Sequence, residues 1–205
     1  MHRMLAILLC FLALAQGAKA LPLEAYQHDR MLAKEAHAIA MHAAHDYLFR
    51  GIKPTNNRMV NDRRLKVPGG VFVTITRDGK TRGCWGTVQP ERATLAEQIA
   101  VAAVKALRYD YRHQPISRSE WPELRFYVSL VGPMTPVSSP AALSPLRQGL
   151  FVTAGGKGGV LLPGEAKTAR YQLAECRKKA GLRPRERVMM YRFNTVVFGP
   201  ESENL

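Results

Sequence analysis

Apolar and polar positions alternate most regularly around residues 71–76, which read Val-Phe-Val-Thr-Ile-Thr. β-Branched and aromatic side chains in this order suit a pleated, half-buried strand. Asp78-Gly79 follows, and a two-residue type I′ turn needs φ > 0 at both of its central positions, which such a pair tolerates. A closing pair of Arg77 and Lys80 then sets the register: Thr76 faces Thr81, Ile75 faces Arg82, Val73 faces Cys84 and Phe72 faces Trp85. With a side-chain period of two, Val71, Val73, Ile75, Arg82 and Cys84 share one face, and Phe72, Thr74 and Trp85 share the other.

Helical periodicity marks residues 22–50, with Leu32, Ala36, Ile39, Ala43 and Tyr47 as the apolar stripe and Gly51 as the stop. Residues 52–68 read as a polar, basic loop containing Asn56-Asn57 and Asn61-Asp62. Thr94-Leu95-Ala96-Glu97 is a capping box that starts a helix running to about Leu107. Leu95, Ile99, Ala102, Ala103 and Ala106 form its packing face. A charged, aromatic loop spans Tyr109 to Trp121, and a strand spans Leu124 to Val131. A second hairpin pairs 151–154 with 160–162 around the run Gly155-Gly156-Lys157-Gly158-Gly159. A helix covers 167–180 and closes at Gly181. One last strand spans 188–198, and 201–205 is expected to be disordered. This order implies an α+β fold with antiparallel sheet flanked by helices.

The first twenty residues stand apart. Met1-His2-Arg3 is basic, Met4 to Ala15 is apolar, and Ala18-Lys19-Ala20 has the small-x-small form of a cleavage site. The pattern predicts a secretory signal peptide cut after Ala20, leaving residues 21–205 as one domain outside the cytoplasm, periplasmic or secreted. The apolar run is too short to cross a bilayer comfortably, and no later segment of the mature chain is apolar enough. The chain has 205 residues and a formal charge of +14, which falls by two to +12 when Arg3 and Lys19 leave with the leader. Such a surplus favours an anionic partner. Nucleic acid is not expected as that partner, because no zinc-finger spacing, helix-turn-helix or aromatic-interleaved basic run is present.

Candidate chemistry is sparse. With Cys10 in the leader, the mature chain keeps Cys84 and Cys176, and free thiols are expected in place of a disulfide. Cys176 shares a helix side with Leu173 and Ala180, which places it in the core. For Cys84 the pattern leaves two readings open. A cysteine among valines is a small core hydrophobe. A cysteine near a guanidinium and between glycines is a candidate thiolate. His37, His42 and His45 lack partner ligands at metal spacing, so they are read as surface histidines and no metal or cofactor is expected. The glycine run at 155–159 lacks the spacing of a phosphate loop.

Two of these motifs and a third carry a resemblance. Arg82-Gly83-Cys84-Trp85-Gly86-Thr87, preceded by the first hairpin strand, closely resembles the signature of the AMME chromosomal region gene 1 domain family. That signature usually reads Leu-Arg-Gly-Cys-Ile-Gly; here Thr81 and Trp85 replace its Leu and Ile. Residues 144–163, ending Leu161-Leu162-Pro163, resemble the family's later hairpin, and residues 176–182 resemble its Cys-x-Lys-Ala-Gly-Leu helix end. The resemblance covers roughly residues 25–198. It implies two unequal lobes, the larger built from both chain ends. It also relates Asp110 and Arg112 to the family's Asp-Pro-Arg-Phe-Pro-Pro stretch, with Tyr111 and His113 replacing its Pro and Phe. Gene fusion and neighbourhood link the family to a Memo-like domain and a radical SAM protein.

These readings converge on an exported binding or accessory module with a cleft around Arg82-Gly83-Cys84. Its ligand-binding candidates are Arg82, Gly83, Gly86, Asp110, Arg112 and His113, and its partner is an unidentified protein or an anionic ligand. One alternative is a thiol-dependent enzyme with Cys84 as nucleophile, donors near Gly83 and Gly86 for an oxyanion, and His113 or Asp110 as proton carrier. The other is a basic envelope protein that binds anionic surface polymers.

Overall fold

The computed structural model describes residues 21–54, 60–183 and 185–200. The leader, Asn56-Asn57 and the terminal 201–205 lie outside the described residues.

Two four-stranded antiparallel sheets divide the chain, confirming the α+β expectation. The first orders β2 (Lys80–Thr87), β1 (Val71–Arg77), β3 (Leu124–Val131) and β8 (Thr195–Phe198). The second orders β4 (Thr135–Val137), β7 (Met189–Phe193), β5 (Gly149–Ala154) and β6 (Lys157–Leu161). Helices α1 (Arg30–Arg50) and α2 (Leu95–Arg108) cover one face of the first sheet, and α3 (Ala169–Lys179) packs on β5 and β6 of the second. The first lobe therefore combines the early chain with the last strand.

Local chemistry accounts for most boundaries. The expected helix from residue 22 begins only at Arg30. A 3₁₀ turn at Leu23–Ala25 and a positive φ at His28 break the path, and Asp29 caps the helix by accepting the Leu32 N–H at 3.0 Å. Gly51 ends α1 in the left-handed conformation at φ 68°. Thr94 caps α2 by accepting the Glu97 N–H at 3.2 Å, and the expected packing face, Leu95 through Ala106, is buried. Both hairpins reverse at a pair of positive-φ residues, Asp78-Gly79 and Gly155-Gly156.

The expected single strand over 188–198 is in fact two. β7 pairs with β4 and β5, then the chain passes Asn194, whose carbonyl accepts the Gly132 N–H at 3.0 Å, and β8 joins β3 in the other sheet. β4, in the segment that Gly132 and nearby prolines mark as a strand end, is a further addition.

Three apolar clusters follow. The largest fills the space between the first sheet and α1 and α2, with Val71, Val73, Ile75 and Phe126 fully buried. A second lies between α3 and the second sheet. The third joins the lobes: Phe72 and Val131 of the first sheet meet Leu162 and Phe193, with Cys84, Val160 and Phe151 packed beside them. Full burial of a side chain such as Phe126 makes its truncation to alanine cost about 3–5 kcal/mol.

Candidate functional site

Cys84 does not share a face with Val71, Val73 and Ile75, as the turn-based register expects. The register holds at Arg77–Lys80 and Thr76–Thr81, then slips by one residue, so that Ile75 pairs with Gly83, Thr74 with Cys84, and Val73 with Trp85. Arg82 is the extra residue. A bulge of this kind reverses the facing of everything beyond it. Trp85 accordingly joins the helix side, where the Lys105 ammonium stands 5.2 Å from its ring centroid. Cys84 turns to the opposite face, toward the seam between the lobes.

Arg82 is also separated from the thiol. Its Nε donates to Glu120 Oε2 at 2.7 Å and its Nη2 to Glu120 Oε1 at 3.1 Å, while Nη1 donates to the Gln114 carbonyl at 2.9 Å. This two-pronged pair holds the Glu120 carboxyl down at about 2. The arginine that reaches the cysteine is Arg112. It and Lys179 both pull the Cys84 thiol toward its charged form.

Beneath the cysteine lies Asp110, buried at 6 % exposure. Its Oδ2 accepts the Cys84 peptide N–H at 2.8 Å and the Arg112 Nη2 at 2.7 Å. Its Oδ1 accepts the Arg112 Nε at 2.9 Å and the Arg112 N–H at 3.1 Å. Burial alone raises this carboxyl, but the bonds from Arg112 and Cys84 overcome it and bring it to about 2. A carboxylate with this many donors is ionised across the physiological range. Asp110 thus ties the loop after α2 to edge strand β2 and occupies the N–H of the cysteine.

The thiol accepts a hydrogen bond from Thr74 Oγ1 at 3.4 Å. Burial pushes it above its ordinary value of 9.0. The Thr74 bond, Arg112 and Lys179 act against that rise and Glu165 adds to it, and the net direction is upward. Glu165 and Lys179 come from the second lobe: Glu165 Oε2 accepts the Leu162 N–H at 2.8 Å, and Lys179 Nζ donates to the Val160 carbonyl at 3.0 Å while standing 3.8 Å from Glu165. The site is therefore a thiol at a lobe boundary, ringed by one anchored carboxylate–guanidinium pair and one looser carboxylate–ammonium pair.

The glycines face other backbone. A Cβ on Gly83 would stand 2.3 Å from the Ala106 carbonyl oxygen of α2, and one on Gly86 would stand 2.2 Å from the Val71 oxygen of β1. Close approach of helix and strand is what these positions require. His113 is exposed, and its N–H donates to the Asp110 carbonyl at 3.0 Å.

Other readings of the sequence also meet the structure. Cys84 and Cys176 are both free thiols. Cys176 is fully buried, as its helix side implies, and its Sγ lies 3.3 Å from the Leu150 carbonyl oxygen that accepts from it. His37 is buried, not on the surface, while His42 is exposed and His45 stacks on Phe49 with ring centroids 4.6 Å apart. Thr74, Glu165 and Lys179 are site residues that sequence reasoning missed. Correct register would have found Thr74; no local pattern marks the other two.

Comparison with known proteins gives these positions a family context. The profile of the AMMECR1 family matches residues 28–198. A protein of Thermotoga maritima is 34 % identical over 126 residues, covering 60 % of this chain and 72 % of that one. A protein of Aeropyrum pernix is 36 % identical over 152 residues, covering 66 % of this chain and 65 % of that one. The crystal structure of an uncharacterized protein from Pyrococcus horikoshii superposes with a TM-score of 0.71 at 29 % identity, covering 81 % of this chain and 90 % of that one.

Proposed function

The chain belongs to the AMMECR1 family, and on that premise we propose that it is an exported binding or accessory module whose ligand sits at the seam around Cys84. The observation that carries this reading is the state of the cysteine. Its peptide N–H is already bonded to Asp110, and its thiol lies among apolar side chains with its ionisation pushed upward. A nucleophilic cysteine needs the reverse, a thiolate at neutral pH and a donor left over for the developing oxyanion.

Binding is supported by what surrounds the thiol. Arg112 and Lys179 keep 34 % and 28 % of their side-chain surface while their carboxylate partners hold them in place. Two pre-positioned cations beside an apolar seam suit an anionic group on a small ligand or on a partner protein. Asp110 acts here as the positioning residue for Arg112. His113 is exposed on the same loop, with its N–H bonded to the Asp110 carbonyl.

Export rests on the leader pattern ahead of Ala20. Leu21 and Leu23, just after the proposed cut, are buried in the large core. Among the described residues, no helix is long and apolar enough to cross a membrane.

The experiment compares the folded Cys176→Ala protein with the same protein in urea. Iodoacetamide at pH 7 should modify Cys84 more slowly in the folded state. Modification many times faster than in the unfolded chain would replace the binding reading with the thiol enzyme. Export is checked by the N-terminal mass of protein recovered from its host, expected to begin at Leu21; an intact Met1 refutes the cut.

A further inference from the structure

Away from the seam, a groove of about 410 Å³ runs along the outer side of α2. Val101 and Val104 form part of its floor, and Tyr109, 57 % exposed, stands at its end. Three cations line it, Lys53, Arg92 and Lys105, against one acid, Glu97.

The molecule's basic side chains divide into those paired with a carboxylate and those left without one. Arg64, Arg77, Arg82 and Arg112 are each engaged with at least one carboxylate. Lys53, Arg92 and Lys105 have no carboxylate within ion-pair distance among the described residues, even with Glu97 on the same wall. Lys105 is steadied by the Trp85 ring, an interaction that leaves its charge uncancelled. The groove therefore holds a formal surplus of two positive charges around an apolar strip.

We propose that this groove binds a small phosphorylated molecule with a flat apolar part, of mononucleotide size. A phosphate dianion matches the charge surplus and accepts hydrogen bonds from several cations at once. The valine floor and the exposed Tyr109 ring offer a flat ligand a surface to stack on. The volume falls within the range of roughly 300–1,000 Å³ usual for small-molecule sites. Glu97 on the same wall lowers the affinity for any anion, because its carboxylate repels the ligand's charge.

Calorimetric titration with adenosine monophosphate tests the site. Saturable binding with Kd below about 1 mM is expected, while adenosine should show none over the same range. Lys53→Gln, Arg92→Gln and Lys105→Gln should each weaken binding about tenfold, the scale of one charge-assisted hydrogen bond. Glu97→Gln should tighten it. Lys167→Gln and Arg170→Gln, which remove exposed charge elsewhere, should leave it unchanged. Thermal melts of each variant separate a lost site from a lost fold. Absence of saturation, equal affinity for adenosine, or equal weakening by the two control substitutions would overturn the proposal.

Discussion

Cys84 and Cys176 occupy related settings and end in different states. In each lobe a helix crosses a strand at a glycine. α2 meets β2 at Gly83, where a Cβ would lie 2.3 Å from the Ala106 oxygen, and α3 meets β6 at Gly159, where a Cβ would lie 2.0 Å from the Cys176 oxygen. Cys176 sits on the helix side of its crossing, fully buried, and burial pushes its thiol up to about 12. Cys84 sits one residue along the strand from its crossing glycine and points away from the helix, so it faces Arg112 of its own lobe and, across the lobe boundary, Lys179 and Glu165. Which side of a strand a thiol takes, more than the residues beside it in sequence, decides whether it meets a core or a set of charges.

The largest effect should come from the crossings themselves. Gly83→Ala and Gly159→Ala both force a side-chain carbon into a backbone carbonyl, and each should cost about 3 kcal/mol or prevent folding. Urea denaturation measures this. A neutral Gly83→Ala would mean that the glycine serves something other than close packing, and would break the parallel between the two lobes.

Asp110→Asn should come next. It removes the charge that holds Arg112 and weakens the anchor of the Cys84 N–H, at a cost of about 3 kcal/mol. Its pH signature sharpens the comparison. The folded carboxyl is depressed to about 2, below its unfolded value of 3.8. Stability from this group is therefore complete above the unfolded value and is lost as pH falls toward 2, by roughly 2 kcal/mol. Asp110→Asn should lack that part of the acid loss. Cys176 has the opposite sign. Its folded value is raised, so its contribution is complete below about 9 and is lost as pH rises toward 12. Cys176→Ala should remove that alkaline component and leave the acid limb intact.

The smallest effects separate the thiols directly. Cys176→Ser puts a hydroxyl in a closed core, where the Leu150 carbonyl offers one partner, and should cost about 1–2 kcal/mol. Cys84→Ser, partly exposed and beside the Thr74 hydroxyl, should cost under about 1 kcal/mol. Equal costs in thermal melts would place both cysteines in equivalent environments and contradict the contrast.

Much of the fold was legible because it rests on local chemistry. The Thr94 cap, the packing face of α2, the Asp78-Gly79 turn and the Gly181 stop each depend on residues a few positions apart. The face of Cys84 was not legible, since the bulge at Arg82 accompanies a bidentate pair with Glu120, 38 residues away. The apolar run over 188–198 likewise shows strand period throughout. The change of sheet at Asn194, whose carbonyl accepts the Gly132 N–H, depends on a residue far away in the sequence. At the site, Asp110 and Arg112 could be named from the charged loop and its family likeness, whereas Glu165 and Lys179 reach the thiol only through lobe packing, which no spacing along the chain encodes.

The central claim is that Cys84 is a neutral thiol held at the seam by Asp110. Titration of its β-carbon NMR shift in the Cys176→Ala protein tests that claim most directly. A midpoint above the ordinary 9.0 is the expected result; a midpoint near neutrality would contradict it and return the cysteine to the role of nucleophile.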